Sequence, residues 1–201
     1  MAFTAALGKQ QAKSQRAKDL ICEATIELLM TNGYSDTSLN QVASMAGFSK
    51  GALQHHYPSK EDLIAATLNK LLARPFQPPR EQPRSVEQAL LVAWNKYINT
   101  PAYRALMEIL NAARTQPLLQ ARISDELVQW GRALDGQSLA QYAAVSGDDE
   151  DVVMLLNMTR SFLRGLLIQE CYGRDETTHL RYVKKWIALI SPLLRLRENS
   201  E

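Results

Sequence analysis

Apolar positions recur along most of this chain at steps of three and four, the spacing that gathers side chains on one face of an α-helix. The first run, about Arg16 to Thr31, sets Ile21, Ala24, Thr25, Leu28 and Leu29 on one face, and Asn32-Gly33 follows as a left-handed terminator. Leu39, Val42, Ala43 and Ala46 repeat as i, i+3, i+4, i+7 behind Ser38 and Gln41, an S-x-x-Q capping box, and Gly47 stops this second helix. Phe48 turns toward the small core and Ser49 caps a third helix of about Lys50 to Tyr57. It ends before Pro58 because a residue ahead of proline avoids the α region. Ser59-Lys60-Glu61-Asp62 is another cap signature, from which Leu63, Ile64, Thr67, Leu68, Leu71 and Leu72 continue a fourth helix to about Ala73.

The pattern then breaks in ARPFQPPREQPR, whose four prolines between Pro75 and Pro83 exclude a helix interior. Standing between two helical blocks, it reads as a joint; a polyproline ligand segment is the sharper alternative. Beyond it, Val86, Leu90, Leu91, Trp94, Tyr97 and Ile98 define a fifth helix, Pro101 opens a sixth to about Arg114, and Pro117 opens a seventh toward Val145 with room to bend near Gly131 and Gly136. Asp148, Asp149, Glu150 and Asp151 begin an eighth helix that Gly173 ends. These acids suit the helix dipole better than a metal, for which no outside ligand is evident. A last helix runs from about Glu176 to Arg197 with Leu180, Val183, Ile187, Ile190 and Leu194 along one face. The prediction is an all-α chain in which few strands are needed.

Composition alters this picture only locally. The net charge of +2 lies within residues 1–60, which hold six bases against four acids, and residues 1–18 carry four bases and no acid. The stretch from Thr37 to Lys60 contains no Asp or Glu at all, while Lys50, Lys60 and many hydroxyls and amides line it. A two-helix unit of that chemistry suits a surface laid against phosphates, and it reads as a DNA-binding helix-turn-helix. Cys22 and Cys171 stand far apart in apolar helical patterns and read as small buried hydrophobes in a reducing cytoplasm. No apolar run approaches a membrane span, and MAFTAALGKQ lacks the basic start of a signal peptide, so a soluble cytoplasmic protein is expected.

Within Ile21 to Lys60, the NGY close of the first helix, T-S-L-x-x-V-A, the A-G-F-S turn, K-G-x-L and the following Y-P-S-K-E-D-L together resemble the TetR family of bacterial transcriptional regulators. The resemblance covers a quarter to a third of the chain. It departs at Gln54, where the family often has Tyr, and at Tyr57, where Phe is usual. Four segments follow: a basic N-terminal arm at 1–15, a three-helix DNA-binding domain at 16–60, a connecting helix and proline-rich joint at 61–83, and a helical effector-binding and dimerisation domain at 84–201.

Small residues Gly51 and Ala52 let a reading helix approach bases while Ser49 and Lys50 reach phosphates or bases; easing a tight turn is the plainer role for Gly51. Gln54 has the groups to read an adenine edge or to hold a phosphate. His55 and His56 point in different directions, which disfavours a metal and suits one phosphate contact and one packed ring. Lys60, Thr37, Ser38 and Asn40 sit at helix starts as candidate phosphate contacts, and Arg16 with Lys13 and Lys9 forms a candidate arm; for Lys9 a solvated tail is an equal alternative.

The second module offers Trp94, Tyr97, Tyr103, Met107, Trp130, Tyr142, Met158 and Phe162 either as the lining of a pocket for a small hydrophobic or aromatic effector or as plain core. Phe162, Leu163, Leu166, Leu167, Ile168, Trp186, Ile187, Leu189 and Ile190 spread over more than one helical face, which a symmetric homodimer explains. The resemblance implies a repressor released from a palindromic double-stranded DNA operator by its effector, without a metal or cofactor. No HExxH, nucleophile elbow, Walker A or dinucleotide fingerprint favours the rival reading of a helical enzyme. A dimerisation protein with a vestigial helix-turn-helix is the third reading.

Overall fold

The computed structural model describes residues 2–73, 82–173 and 175–197, and side chains from Gln10 onward except that of Cys171. Most of the expected proline joint, residues 74–81, lies outside this range, as does the side chain of Lys9. In chain order the elements are α1 (Ala2–Asp36), α2 (Leu39–Ala46), α3 (Lys50–His56), α4 (Lys60–Leu72), α5 (Val86–Ala93), α6 (Pro101–Ala113) and α7 (Pro117–Gln141). They continue with β1 (Tyr142–Ala144), α8 (Asp149–Gln169), α9 (Glu176–Ile190) and β2 (Leu194–Leu196).

Helix α1 starts well before Arg16, so the expected arm is helical. Ala5, Ala6, Gln10, Gln11, Ala12 and Lys13 are good helix formers, and neither proline nor a cap interrupts them. Gly33 breaks the helix near its end with φ 75° and ψ 176°, a region essentially closed to residues with a side chain. The φ is positive as expected, but the conformation is extended rather than left-handed helical.

Two compact units emerge. The first takes α1 to α4, α6 and the start of α7. In it α2, α4 and α6 pack on α1, α3 packs on α2, and α6 also meets α4. The helix-turn-helix closes over Ile21, Ala24, Leu28, Val42, Ala43, Leu53, Tyr57 and Leu63, with Leu39 and Phe48 at the edge of this core. Lys70 bridges Asp19 at 3.2 Å and Glu23 at 3.3 Å, and Arg122 Nε meets Asp62 at 3.1 Å. These pairs are part-exposed, so each contributes about 1 kcal/mol or less.

The second unit takes α5, the rest of α7, α8, α9 and both strands. Trp186 Nε1 donates to Thr159 Oγ1 at 3.1 Å, and its ring stacks on Phe162 at 4.9 Å. Arg160 donates to Asn157 Oδ1 at 2.8 Å and to Ser138 Oγ, fastening α8 to α7.

Three boundaries differ from expectation. The fifth helix ends at Ala93 and continues as a π-helical turn, Trp94–Ile98. The seventh ends at Gln141, because Tyr142 belongs to β1. The last stops at Ile190 rather than Arg197, since Pro192 brings no N–H to a helix interior and its ring crowds the preceding turn. The segment freed after Pro192 pairs antiparallel with β1, Tyr142 opposite Leu196 and Ala144 opposite Leu194. Arg197 closes this ladder by donating to Tyr142 O at 2.9 Å and to Asp149 at 2.7 Å.

Candidate nucleic-acid interface

Helix α3 has only seven residues and is shaped by its ends. Ser49 Oγ accepts from the Ala52 N–H at 3.2 Å, and Tyr57, in extended conformation ahead of Pro58, closes the other end. Leu53 is fully buried in the small core, with Tyr57 beside it. Fixing Leu53 inward turns Lys50, Gly51, Ala52, Gln54 and His55 outward, and all five are exposed. His56 is half-buried beside His55 at 5.7 Å between ring centres. Burial first, then His55 and Lys18, lowers its pKa from the ordinary 6.5.

On α2, Ser38 accepts from the Gln41 N–H at 3.3 Å while the Gln41 side chain accepts from the Ser38 N–H at 2.9 Å, which completes the expected capping box. Gly47 takes the left-handed conformation, φ 75° and ψ 28°, that lets the chain turn into α3. Ser38 and Asn40 are exposed, as are Ser49 and, on α1, Arg16.

Two expected phosphate contacts face elsewhere. Thr37 is only 2% exposed, and its hydroxyl donates to Gly33 O at 2.7 Å, because the cap of α2 is Ser38 and Thr37 completes the end of α1 instead. Lys60 directs its ammonium at Tyr34 O, 2.5 Å away, and at Ser35 O, 3.4 Å away. From sequence Tyr34 was read only in the NGY close of the first helix, not as a partner of Lys60. The available signal was a cation at the first position of a helix, where the dipole disfavours it.

The eight effector candidates are divided. Trp94, Tyr97, Trp130, Tyr142, Met158 and Phe162 belong to the second unit, and Tyr103 and Met107 to the first. Trp94, Tyr103 and Tyr142 are buried, and burial pushes the Tyr142 phenol up to about 12. Met158 is 50% exposed and so lies on the surface of the chain rather than inside it. Of the dimer candidates, Leu163, Leu166, Leu167, Ile187 and Ile190 are buried within the chain, because α8 and α9 need them for their own core. Phe162 and Trp186 are half-buried against each other. Ile168 and Leu189, also named for the dimer, are exposed, and with them Met154 and Met158 of α8, Tyr182 of α9, and Leu193.

Among the described residues no three of His, Cys, Asp and Glu gather as metal ligands, and no helix is long and apolar enough to cross a membrane.

Residues 21–67 match the profile of the bacterial regulatory proteins of the tetR family. Over 105 residues the chain is 30% identical to TtgW, an uncharacterized HTH-type transcriptional regulator of Pseudomonas putida, with 51% of this chain and 78% of TtgW covered. The chain belongs to the TetR family. It is also similar to the HTH-type transcriptional regulator SrpR of Pseudomonas putida, 24% identical over 183 residues, with 86% and 83% of the two chains covered. NalD of Pseudomonas aeruginosa, described as the secondary repressor of the MexAB-OprM multidrug efflux pump, shares the fold at a TM-score of 0.60 and 17% identity, with 94% and 100% covered. A transcriptional regulator from Rhodococcus superposes at 0.64 and 18% identity, with 86% and 95% covered. The helix-turn-helix of this TetR-family regulator therefore spans α2 and α3, within the matched segment.

Proposed function

We propose that this TetR-family regulator is a homodimeric, cytoplasmic repressor that binds a palindromic operator and leaves it when a small hydrophobic or aromatic molecule binds its second unit. The observation that carries the reading is α3, which buries Leu53 and presents Lys50, Gly51, Ala52, Gln54 and His55 on a carboxylate-free surface. Ser38, Asn40, Ser49 and Arg16 stand exposed as its phosphate contacts. One such head reads only a few base pairs, and a two-fold dimer with half-sites about 34–36 Å apart supplies the rest.

The dimer reading is supported by the exposed apolar side chains of α8 and α9, above all Met158 and Leu189. The effector reading is supported by proteins of the same fold, among them NalD, a repressor of a multidrug efflux pump, and the multidrug binding protein EbrR, solved with imidazole. A hundredfold loss of operator affinity requires about 2.7 kcal/mol of coupling, so the effector must prefer the non-binding state by that amount.

Purified protein titrated onto the DNA flanking its own gene tests the reading. Affinity that falls steeply with salt, on a fragment containing an inverted repeat, is the expected result. Binding no tighter than to unrelated DNA refutes it.

A further inference from the structure

Lys60 is the first residue of α4, behind the cap Ser59. A helix N-terminus carries partial positive charge, so a cation there is misplaced with respect to its own helix; the acids Glu61 and Asp62 that follow are what the position favours. The side chain turns away from α4. Its Nζ donates to Tyr34 O at 2.5 Å and to Ser35 O at 3.4 Å, and lies 4.0 Å from the centre of the Tyr34 ring. Those carbonyls belong to the short turn that follows the break at Gly33 and precedes α2. Thr37 satisfies the same turn, its N–H donating to Tyr34 O at 3.3 Å and its hydroxyl to Gly33 O at 2.7 Å. Tyr34 is 9% exposed, so its ring is a fixed platform under the ammonium. Between Ser35 and Lys60 the chain forms α2, the turn and α3. The contact thus joins the strand of chain entering the helix-turn-helix to the one leaving it.

We propose that Lys60 is a positioning residue for DNA reading, clasping Tyr34 and Ser35 so that α2 and α3 are held in register with α1 and α4, rather than a ligand of DNA phosphate. The proposal rests on the reading of α3 as the DNA-contacting helix. Burial lowers the Lys60 pKa while Glu61 and Asp36 oppose the shift, as expected of an ammonium turned inward.

The test compares Lys60→Met and Tyr34→Leu, singly and together, with wild type at a temperature where circular dichroism shows every protein folded. Affinity is measured over a range of salt on the duplex that wild-type protein enriches from a random-sequence pool, and on a shuffled duplex of equal composition. Each single variant is expected to lose about tenfold on the enriched duplex, comparable with one mispresented base pair. Affinity for the shuffled duplex and both salt slopes stay at wild-type values, and the double variant loses no more than a single one. Buried Tyr34 cannot touch a phosphate, so a loss shared with Lys60 marks the clasp.

If Lys60→Met weakens both duplexes alike and lowers the salt slope by about one, with Tyr34→Leu silent, Lys60 is a phosphate ligand and the proposal is overturned. A change in melting temperature alone, with affinities intact, reduces the clasp to a structural contact and overturns it too. Should Lys60→Met not fold, Lys60→Gln takes its place: unchanged affinity for the enriched duplex rejects positioning. Wild-type protein that enriches no duplex and shows no salt-dependent binding removes the DNA reading itself, and the proposal with it.

Discussion

Gln54 and Lys50 both stand exposed on α3 and differ in chemistry. A charged ammonium neutralises phosphate whatever the sequence, whereas a carboxamide offers a paired donor and acceptor that matches an adenine edge. Lys50→Ala is therefore expected to weaken binding to all duplexes alike and to lower the salt slope by about one. Gln54→Ala is expected to relax preference at one base pair by about 1–3 kcal/mol, seen when the selected sequences of the two proteins are compared. His56 makes a prediction about pH. Its pKa in the folded chain lies below the ordinary 6.5, so the unfolded chain binds more protons in the window just beneath that value. Stability is then fully retained above pH 6.5 and declines as pH falls through that window. His56→Gln should flatten the decline in melting temperature between pH 7 and 5, on the order of that window.

At the scale of elements, the ends of the helices decide where α2 and α3 lie. Gly33 lets α1 stop in a conformation that other residues avoid, and a Cβ placed there would meet Glu108 Oε2 at 3.4 Å. Gly33→Ala is expected to cost about 1–3 kcal/mol, measured by urea unfolding, and to weaken DNA binding because Tyr34, Thr37 and Lys60 all hang on the same turn. The acids Asp148 to Asp151 do what their position suggested: Asp148 Oδ1 accepts from the Glu150 N–H at 2.8 Å, and the next three lie in the first turn of α8.

For the whole molecule, the apolar residues of α8 and α9 divide into an inner and an outer set with opposite consequences. Met158 and Leu189 are 50% and 58% exposed, so charging both should leave the chain folded while shifting the proposed dimer to monomer in sedimentation and weakening binding to a two-half-site duplex. Leu166 is buried in the chain's own core, and Leu166→Ala should lower stability by about 2–5 kcal/mol. Monomeric wild-type protein at micromolar concentration would argue against the dimer reading.

Local chemistry settled most of what the sequence determined alone. The Ser38–Gln41 capping box, the Ser49 and Ser59 caps, Gly47 and Pro58 each act on residues within a turn of themselves, so the helices of the DNA-binding head could be read directly. Periodicity likewise found the stripes of α8 and α9, but a stripe that fills its own core and one that faces a second chain have the same spacing. Only tertiary packing separated Leu163 and Leu166 from Met158 and Leu189. The β1–β2 pairing joins residues fifty or more positions apart and leaves no local mark beyond Pro192. The Lys60 ammonium was equally open in sequence, able to reach a phosphate outside or carbonyls inside. Its direction was decided by where the end of α1 came to rest, a position fixed by the packing of four helices and not by any residue beside Lys60.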